Sequence, residues 1–139
     1  MPEPRTIQRA SGPFEVTLAP LTSAWEGDPP PLARMSIEKQ FTGDLSATSQ
    51  GEMLSASGSV KGSAGYVAIE KVTGTLHGRE GTFVLQHTGT MNRGVPSLSI
   101  TVIPDSGTGA LAGLTGTMQI IIDGKQHSYI FDYSFADAA

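Results

Sequence analysis

The fold is decided by the stretch MQIIIDGKQHSYIFDYSF, which covers residues 118–135. Two runs of strand-forming residues, 118–122 and 126–135, flank the dipeptide Asp123-Gly124, and this dipeptide favours a type I′ hairpin turn. In the second run aromatic residues alternate with mostly polar ones, so one face of this strand is predicted to be buried. The residues on that face are His127, Tyr129, Phe131, Tyr133 and Phe135.

The whole chain shows this pattern in about eight short segments, among which 45–49 and 52–60 are two weaker strands on either side of Gly51. Its 139 residues include 17 glycines spread along the whole length. Since each glycine inside a helix costs about 1 kcal/mol relative to alanine, a helical bundle is excluded. Eight strands at hairpin spacing close most economically into an antiparallel β-barrel, because closure removes exposed strand edges. We predict a flexible N-terminal tail over residues 1–11 and one all-β barrel domain over residues 12–136.

Composition excludes several classes of function. Nine Lys and Arg against 13 Asp and Glu give a net charge of −4, which argues against nucleic-acid binding. The chain has no cysteine, so disulfides, thiol nucleophiles and cysteine-based metal sites are excluded. No apolar run approaches the ~20 residues of a membrane-spanning helix, and no signal segment opens the chain. The expected location is the cytoplasm, with no membrane or nucleic-acid partner.

Two further patterns predict neither a cofactor nor a metal. Residues 107–112, GTGALA, nominally match the dinucleotide fingerprint, but glycines and a strand-like run follow where that motif needs a helix. We expect a structural glycine corner there. The three histidines, His77, His87 and His127, lack metal-ligand spacing, and His77 is expected to be a solvated turn residue.

Five short motifs are distinctive, namely FTGDL at 41–45, GYVAIE at 65–70, GTFVLQH at 81–87, PDSGTG at 104–109 and LAGLTG at 111–116. Together they resemble the uncharacterised bacterial family called domain of unknown function 3224. The resemblance extends over residues 12–133, and it implies a barrel like that of plant allene oxide cyclase. The wider relatives of that enzyme include dirigent proteins and bacterial spirotetronate cyclases, which share a corner that reads AGLTG at 112–116 in this chain.

Two charged residues break the apolar alternation. Lys39 falls on the face of its apolar neighbours Ile37 and Phe41, and Glu70 falls on the face of Ala68. A lone buried charge is costly, so a rim position or a structural ion pair is one interpretation. The other is that Glu70 and His87 line the lumen, where desolvation would raise the pKa of the Glu70 carboxyl towards neutrality.

This second interpretation assigns roles to the inward-facing polar residues. Glu70 would accept a proton or stabilise a developing cation, with His87 as its hydrogen-bond partner. Tyr129 or Tyr133 would donate to a substrate oxygen, and Lys39 would neutralise Glu70 or anchor an acidic group. The predicted catalytic residues are therefore Glu70, His87 and Tyr129. The predicted ligand contacts are Lys39, Tyr66, Tyr133, Phe83 and Phe131.

Three functions remain open. The first is a barrel that binds an apolar or polyene-like small molecule and guides its isomerisation or cyclisation without a cofactor, because confinement lowers the entropic barrier. The second is a non-catalytic binding or structural barrel whose inner aromatics fill the core. An open lumen that reaches Glu70 or Tyr129 would favour the first. The third, a metal-dependent hydrolase or oxygenase, would need two histidines and a carboxylate to converge.

The sequence also predicts self-association. Some strands carry apolar residues on both faces, and in a barrel one of the two faces must point outward. Val67, Ile69 and Ile121 are on that outer face and should form an exposed apolar patch. The cyclases that the chain resembles are oligomeric, which agrees. We expect a homodimer or homotrimer.

Overall fold

A computed structural model describes residues 6–27 and 32–136 of the chain. Eight antiparallel strands form one closed barrel in which each strand pairs with the next and β8 pairs with β1, which confirms the predicted fold. A three-residue 3-10 helix, Gly109–Leu111, lies between β6 and β7. Across the described residues no helix is long or apolar enough to span a membrane. The strands are β1 (Gln8–Leu21), β2 (Ala33–Phe41), β3 (Leu45–Ser57), β4 (Ala64–Leu76), β5 (Arg79–Asn92), β6 (Val95–Val102), β7 (Leu114–Asp123) and β8 (Gln126–Phe135).

The two ends of the barrel differ. The end formed by the β2–β3 and β4–β5 turns, which we call the closed end, is filled by four buried leucines. At the open end, formed by the β3–β4, β5–β6 and β7–β8 turns, inward-facing residues such as Leu98 are exposed. The leucines of the closed end are Leu45, Leu76, Leu111 and Leu114.

One seam of the barrel is weakly paired. Strands β6 and β7 share only two residue pairs, Ile100 with Met118 and Thr101 with Thr117. The flanking seams share eight pairs between β5 and β6 and ten between β7 and β8. Both pairs of the weak seam lie at the closed-end half of β6, so the two strands are unpaired towards the open end.

Three details differ from the sequence prediction. Strand β1 begins at Gln8, because residues 8–11 of the expected tail pair with β8; residues 1–5 lie outside the described residues. Strand β3 is continuous through Gly51, where two weaker strands were expected. In the β7–β8 turn the central residues are Gly124 and Lys125, and only Gly124 has a positive φ, +63°. That is the φ pattern of a type II′ turn rather than type I′.

Candidate functional site

Lys39, Glu70 and His87 converge inside the barrel, where strand parity places them. Glu70 is fully buried on β4, and the Lys39 Nζ lies 3.2 Å from both of its carboxylate oxygens. The His87 Nε2 lies 3.4 Å from the Glu70 Oε1. The Ser49 Oγ donates a hydrogen bond of 3.4 Å to Oε2. We call these four residues the charged cluster.

Small residues on neighbouring strands make room for the cluster. Gly51 faces Glu70 across the β3–β4 pairing, and a Cβ at Gly51 would lie only 2.7 Å from the Glu70 Cα and Cβ. Ala68 faces His87 across the β4–β5 pairing. Any larger side chain at these positions would compete with the polar groups for the same space.

Tyr66 connects the cluster to the open end. It lies on β4 opposite Gly89, and its ring packs on that glycine so closely that a Cβ there would overlap the ring atom Cε1. Its hydroxyl lies 3.4 Å from the Nδ1 of His87. The phenol, the imidazole and the Glu70 carboxylate therefore form one chain of contacts that starts at a half-buried side chain and ends in the interior.

The electrostatics of Glu70 correct the sequence prediction. Burial alone would raise the pKa of its carboxyl, as expected above. The contact with His87 and the charge and hydrogen bond of Lys39 outweigh burial, and the pKa of Glu70 lies below its ordinary value. The Lys39 ammonium also lies 5.2 Å from the ring centre of Phe14, a cation–π distance. Glu70 is therefore a carboxylate at neutral pH.

His87 keeps one unused polar atom. Its Nε2 is buried and has no hydrogen-bond partner among the described residues, although it lies 3.4 Å from the Glu70 Oε1. Buried polar atoms are nearly always hydrogen-bonded, so this exception marks His87 as a candidate functional group.

The Tyr129 hydroxyl is hydrogen-bonded to the backbone at the closed end. It accepts a hydrogen bond of 2.8 Å from the Leu45 N–H and lies 2.7 Å from the carbonyl oxygen of Thr42, to which it donates. These bonds tie β8 to the turn between β2 and β3. The hydroxyl is therefore committed to the backbone at the closed end and makes no hydrogen bond to the charged cluster.

The other predicted ligand contacts fill the core. Phe83 and Phe131 are fully buried and stack with ring centres 5.7 Å apart. The Tyr133 hydroxyl bonds to the His77 Nδ1 at 2.5 Å and to the Gln8 side chain at 3.0 Å. His77, expected to be only solvated, thus anchors the end of β8.

Five cavities of about 240 to 610 Å³ lie between described residues. One of them is lined by Lys39 and Ser49 of the charged cluster, and none of the five is lined by Glu70, His87 or Tyr129. One of about 240 Å³ is lined by Tyr66, and we call it the mouth cavity. No three His, Asp or Glu side chains in the described part of the chain are placed to hold a metal ion. The mouth cavity is lined by Ala64, Gly65, Tyr66, Gly89, Thr90, Met91, Pro96, Ser97 and Leu98.

Comparison with known proteins identifies the family. A family model described as "Protein of unknown function (DUF3224)" matches residues 10–133. The chain belongs to the DUF3224 family. A crystal structure of a DUF3224 protein of unknown function from Shewanella oneidensis MR-1 is 50% identical, with a TM-score of 0.89. That similarity covers 96% of this chain and 100% of the other. No curated protein matches the chain.

Sequence reasoning missed Ser49 and the small residues that accommodate the cluster. Ser49 shares the inward parity of Leu45 and Ala47, so the argument that found Glu70 could have found it. Gly51 and Gly89 needed the strand register, because their importance lies in the residue that faces each of them.

Proposed function

We propose that this DUF3224 protein binds a small, mainly apolar molecule at the open end of its barrel and isomerises or cyclises it without a cofactor. The observation that carries the proposal is the chain of contacts from Tyr66, which lines the mouth cavity, through His87 to Glu70. Through these contacts, a molecule bound beside Tyr66 can exchange protons with the buried pair of His87 and Glu70 without touching either residue.

The chain of contacts suits proton transfer through Tyr66. Burial, with a smaller contribution from the charge of Glu70, raises the pKa of the Tyr66 phenol, so the hydroxyl is protonated at neutral pH. The phenol oxygen takes a proton from one atom of the ligand as the phenol proton passes to the Nδ1 of His87. The hydroxyl then gives a proton to another atom of the ligand as Nδ1 returns its proton to the phenol oxygen. Glu70 stabilises the imidazolium between the two transfers, as the carboxylate of a catalytic triad does. An isomerisation neither gains nor loses atoms, so this sequence needs no co-reactant.

Native mass spectrometry of protein purified from its own host tests the proposal. We expect a mass adduct from a small organic molecule. The extracted molecule, incubated with wild-type protein in D2O, should gain deuterium at carbon. Tyr66→Phe should still carry the adduct but lose the exchange, while the matched variant Tyr133→Phe, altered at the closed end, should keep both. Exchange that is unchanged in Tyr66→Phe would refute the role of this hydroxyl.

A second candidate function is a non-catalytic binding or structural barrel. It is favoured by the fact that Lys39, Ser49 and His87 surround Glu70, and that none of the five cavities between described residues is lined by Glu70. In that case the charged cluster would only specify how the strands pack. The absence of any adduct, together with variants that change stability alone, would support this candidate.

We also propose that the protein forms a homo-oligomer in the cytoplasm, without nucleic-acid or membrane partners. Val67 and Ile69 support this, because about half of each side chain is exposed on the outer face of β4, where they line an apolar groove with Trp25. Ile121 is also exposed, but it lies on β7, three strands away. The outer face therefore carries two separate apolar areas instead of the single patch that was expected.

A further inference from the structure

We propose that the mouth cavity is the binding site for a small, uncharged organic molecule of one or two rings. This inference rests on the proposed function and adds the place and the chemical class of the ligand. It is carried by three features of the cavity, namely its position on the inner wall, its uncharged lining and the glycines that form part of its wall.

The cavity lies on the inner face of the barrel. Tyr66 and Gly89 point inward by strand parity, and the β5–β6 pairing sets Leu98 opposite Gly89. Ala64, at the start of β4, has the same inward parity and faces Met91. The cavity is therefore the part of the lumen that opens to solvent beside the cluster.

Its lining contains no acidic or basic side chain. A charged ligand would lose its hydration there without gaining an opposite charge, so an uncharged ligand is favoured. The Tyr66 hydroxyl is a polar group that can fix the orientation of such a ligand. Met91, which is flexible and polarisable, suits contact with rings of different shape.

Gly89 makes the wall flat, and the volume of the cavity limits the size of the ligand. Gly89 faces the lumen, and the Tyr66 ring occupies the space that a Cβ at this position would need. The total volume of about 240 Å³ is below the ~300–1,000 Å³ typical of drug-sized pockets. The site therefore fits one or two rings but not a long polyene.

The weak seam provides an approach to the cavity. Leu98 and the start of β6 line it, and this half of β6 is not paired with β7. A ligand can therefore pass over the edge of β6 without breaking hydrogen bonds between the strands.

Two fluorescent probes with the same ring system test the inference. Dansylamide, 5-dimethylaminonaphthalene-1-sulfonamide, is neutral and has two rings, and the corresponding sulfonate has nearly the same shape and carries one negative charge. We expect saturable binding of the neutral probe, and binding about tenfold or more weaker for the anion, which corresponds to ~1.4 kcal/mol. Equal or tighter binding of the anion would overturn the assignment of an uncharged ligand.

A matched pair of variants tests the location. Ala64→Leu places extra volume in the cavity and should weaken binding of the neutral probe by about tenfold, the loss that ~1.4 kcal/mol produces. Ala33→Leu, at an exposed inward-parity alanine of β2 outside the cavity, should leave binding unchanged. Thermal unfolding of both variants confirms that they fold.

The outcomes separate this inference from the proposed function. If Ala33→Leu weakens binding of the neutral probe and Ala64→Leu does not, the barrel binds small molecules elsewhere in its lumen. In that case only the assignment of the cavity is wrong. Failure of the neutral probe to bind overturns the cavity assignment, while an adduct with deuterium exchange would still support the proposed function. Probe binding at the cavity without any deuterium exchange in D2O would support the assigned binding site and refute the proposed isomerase activity.

Discussion

Two tyrosines on the inner face show how the ends of this barrel differ. Tyr129 at the closed end is fully buried, and its hydroxyl bonds to the backbone of the β2–β3 turn. Tyr66 at the open end is half-buried, and its hydroxyl makes a 3.4 Å contact with a buried histidine. The same residue type, on the same face by the same alternation, is a structural anchor at one end and a candidate functional group at the other. The two tyrosines differ in the hydrogen-bond partners of their hydroxyls, and not in the face of the strand on which they lie.

The largest effect that bears on this comparison is expected at Glu70. Glu70→Gln keeps the shape of the side chain but leaves the Lys39 ammonium buried without its counter-charge. Breaking one partner of a buried pair should lower the free energy of unfolding by about 3–5 kcal/mol. Urea denaturation measures this loss. The double variant Lys39→Met with Glu70→Gln should recover much of it, and a single-variant loss below ~1 kcal/mol would show that the pair is not structurally important.

Removing each tyrosine hydroxyl sharpens the comparison directly. Tyr129→Phe leaves the Leu45 N–H buried without a partner and should cost about 1–3 kcal/mol in urea unfolding. Tyr66→Phe loses only a long contact on a half-buried side chain and should cost less than ~1 kcal/mol. Equal losses would contradict the division between an anchoring end and a functional end.

The alternation of inward and outward residues along each strand predicted which side chains lie inside the barrel, but it did not predict their contacts. Parity correctly placed Lys39, Glu70 and His87 inside, because the period of a strand fixes which face a side chain takes. It could not separate Tyr129 from Tyr66, since a hydroxyl's partner depends on which turn lies beside it in the closed barrel. The pKa of Glu70 was expected to rise because burial is visible in the pattern, whereas the contacts with His87 and Lys39 depend on strand register and barrel tilt.

Stability at acid pH tests the charged cluster without changing its shape. Because the pKa of Glu70 is lowered in the folded state, its carboxylate stabilises the fold fully above its ordinary pKa of 4.5. That contribution is lost as the pH falls through the lower, folded-state value. The unfolding temperature of the wild type should therefore fall more steeply below pH 4.5 than the unfolding temperature of the Lys39→Met, Glu70→Gln double variant. Parallel pH profiles for the two proteins would show that Glu70 is not the group responsible.

The smallest effect on stability, with a clear effect on assembly, is expected on the outer face of the barrel. Ile69 is half exposed beside the apolar groove, so Ile69→Lys should change the free energy of unfolding by less than ~0.5 kcal/mol. If the groove on β2–β4 mediates self-association, light scattering should show a homodimer or homotrimer for wild type at micromolar concentration and a monomer for the variant.

Ile121→Lys on β7 is the matched control, because it adds the same charge at a similarly exposed isoleucine three strands away. Dissociation by Ile121→Lys alone would move the interface to the other apolar area. A monomeric wild type would mean that both areas face solvent, and the ligand site at the open end would then be formed by a single chain.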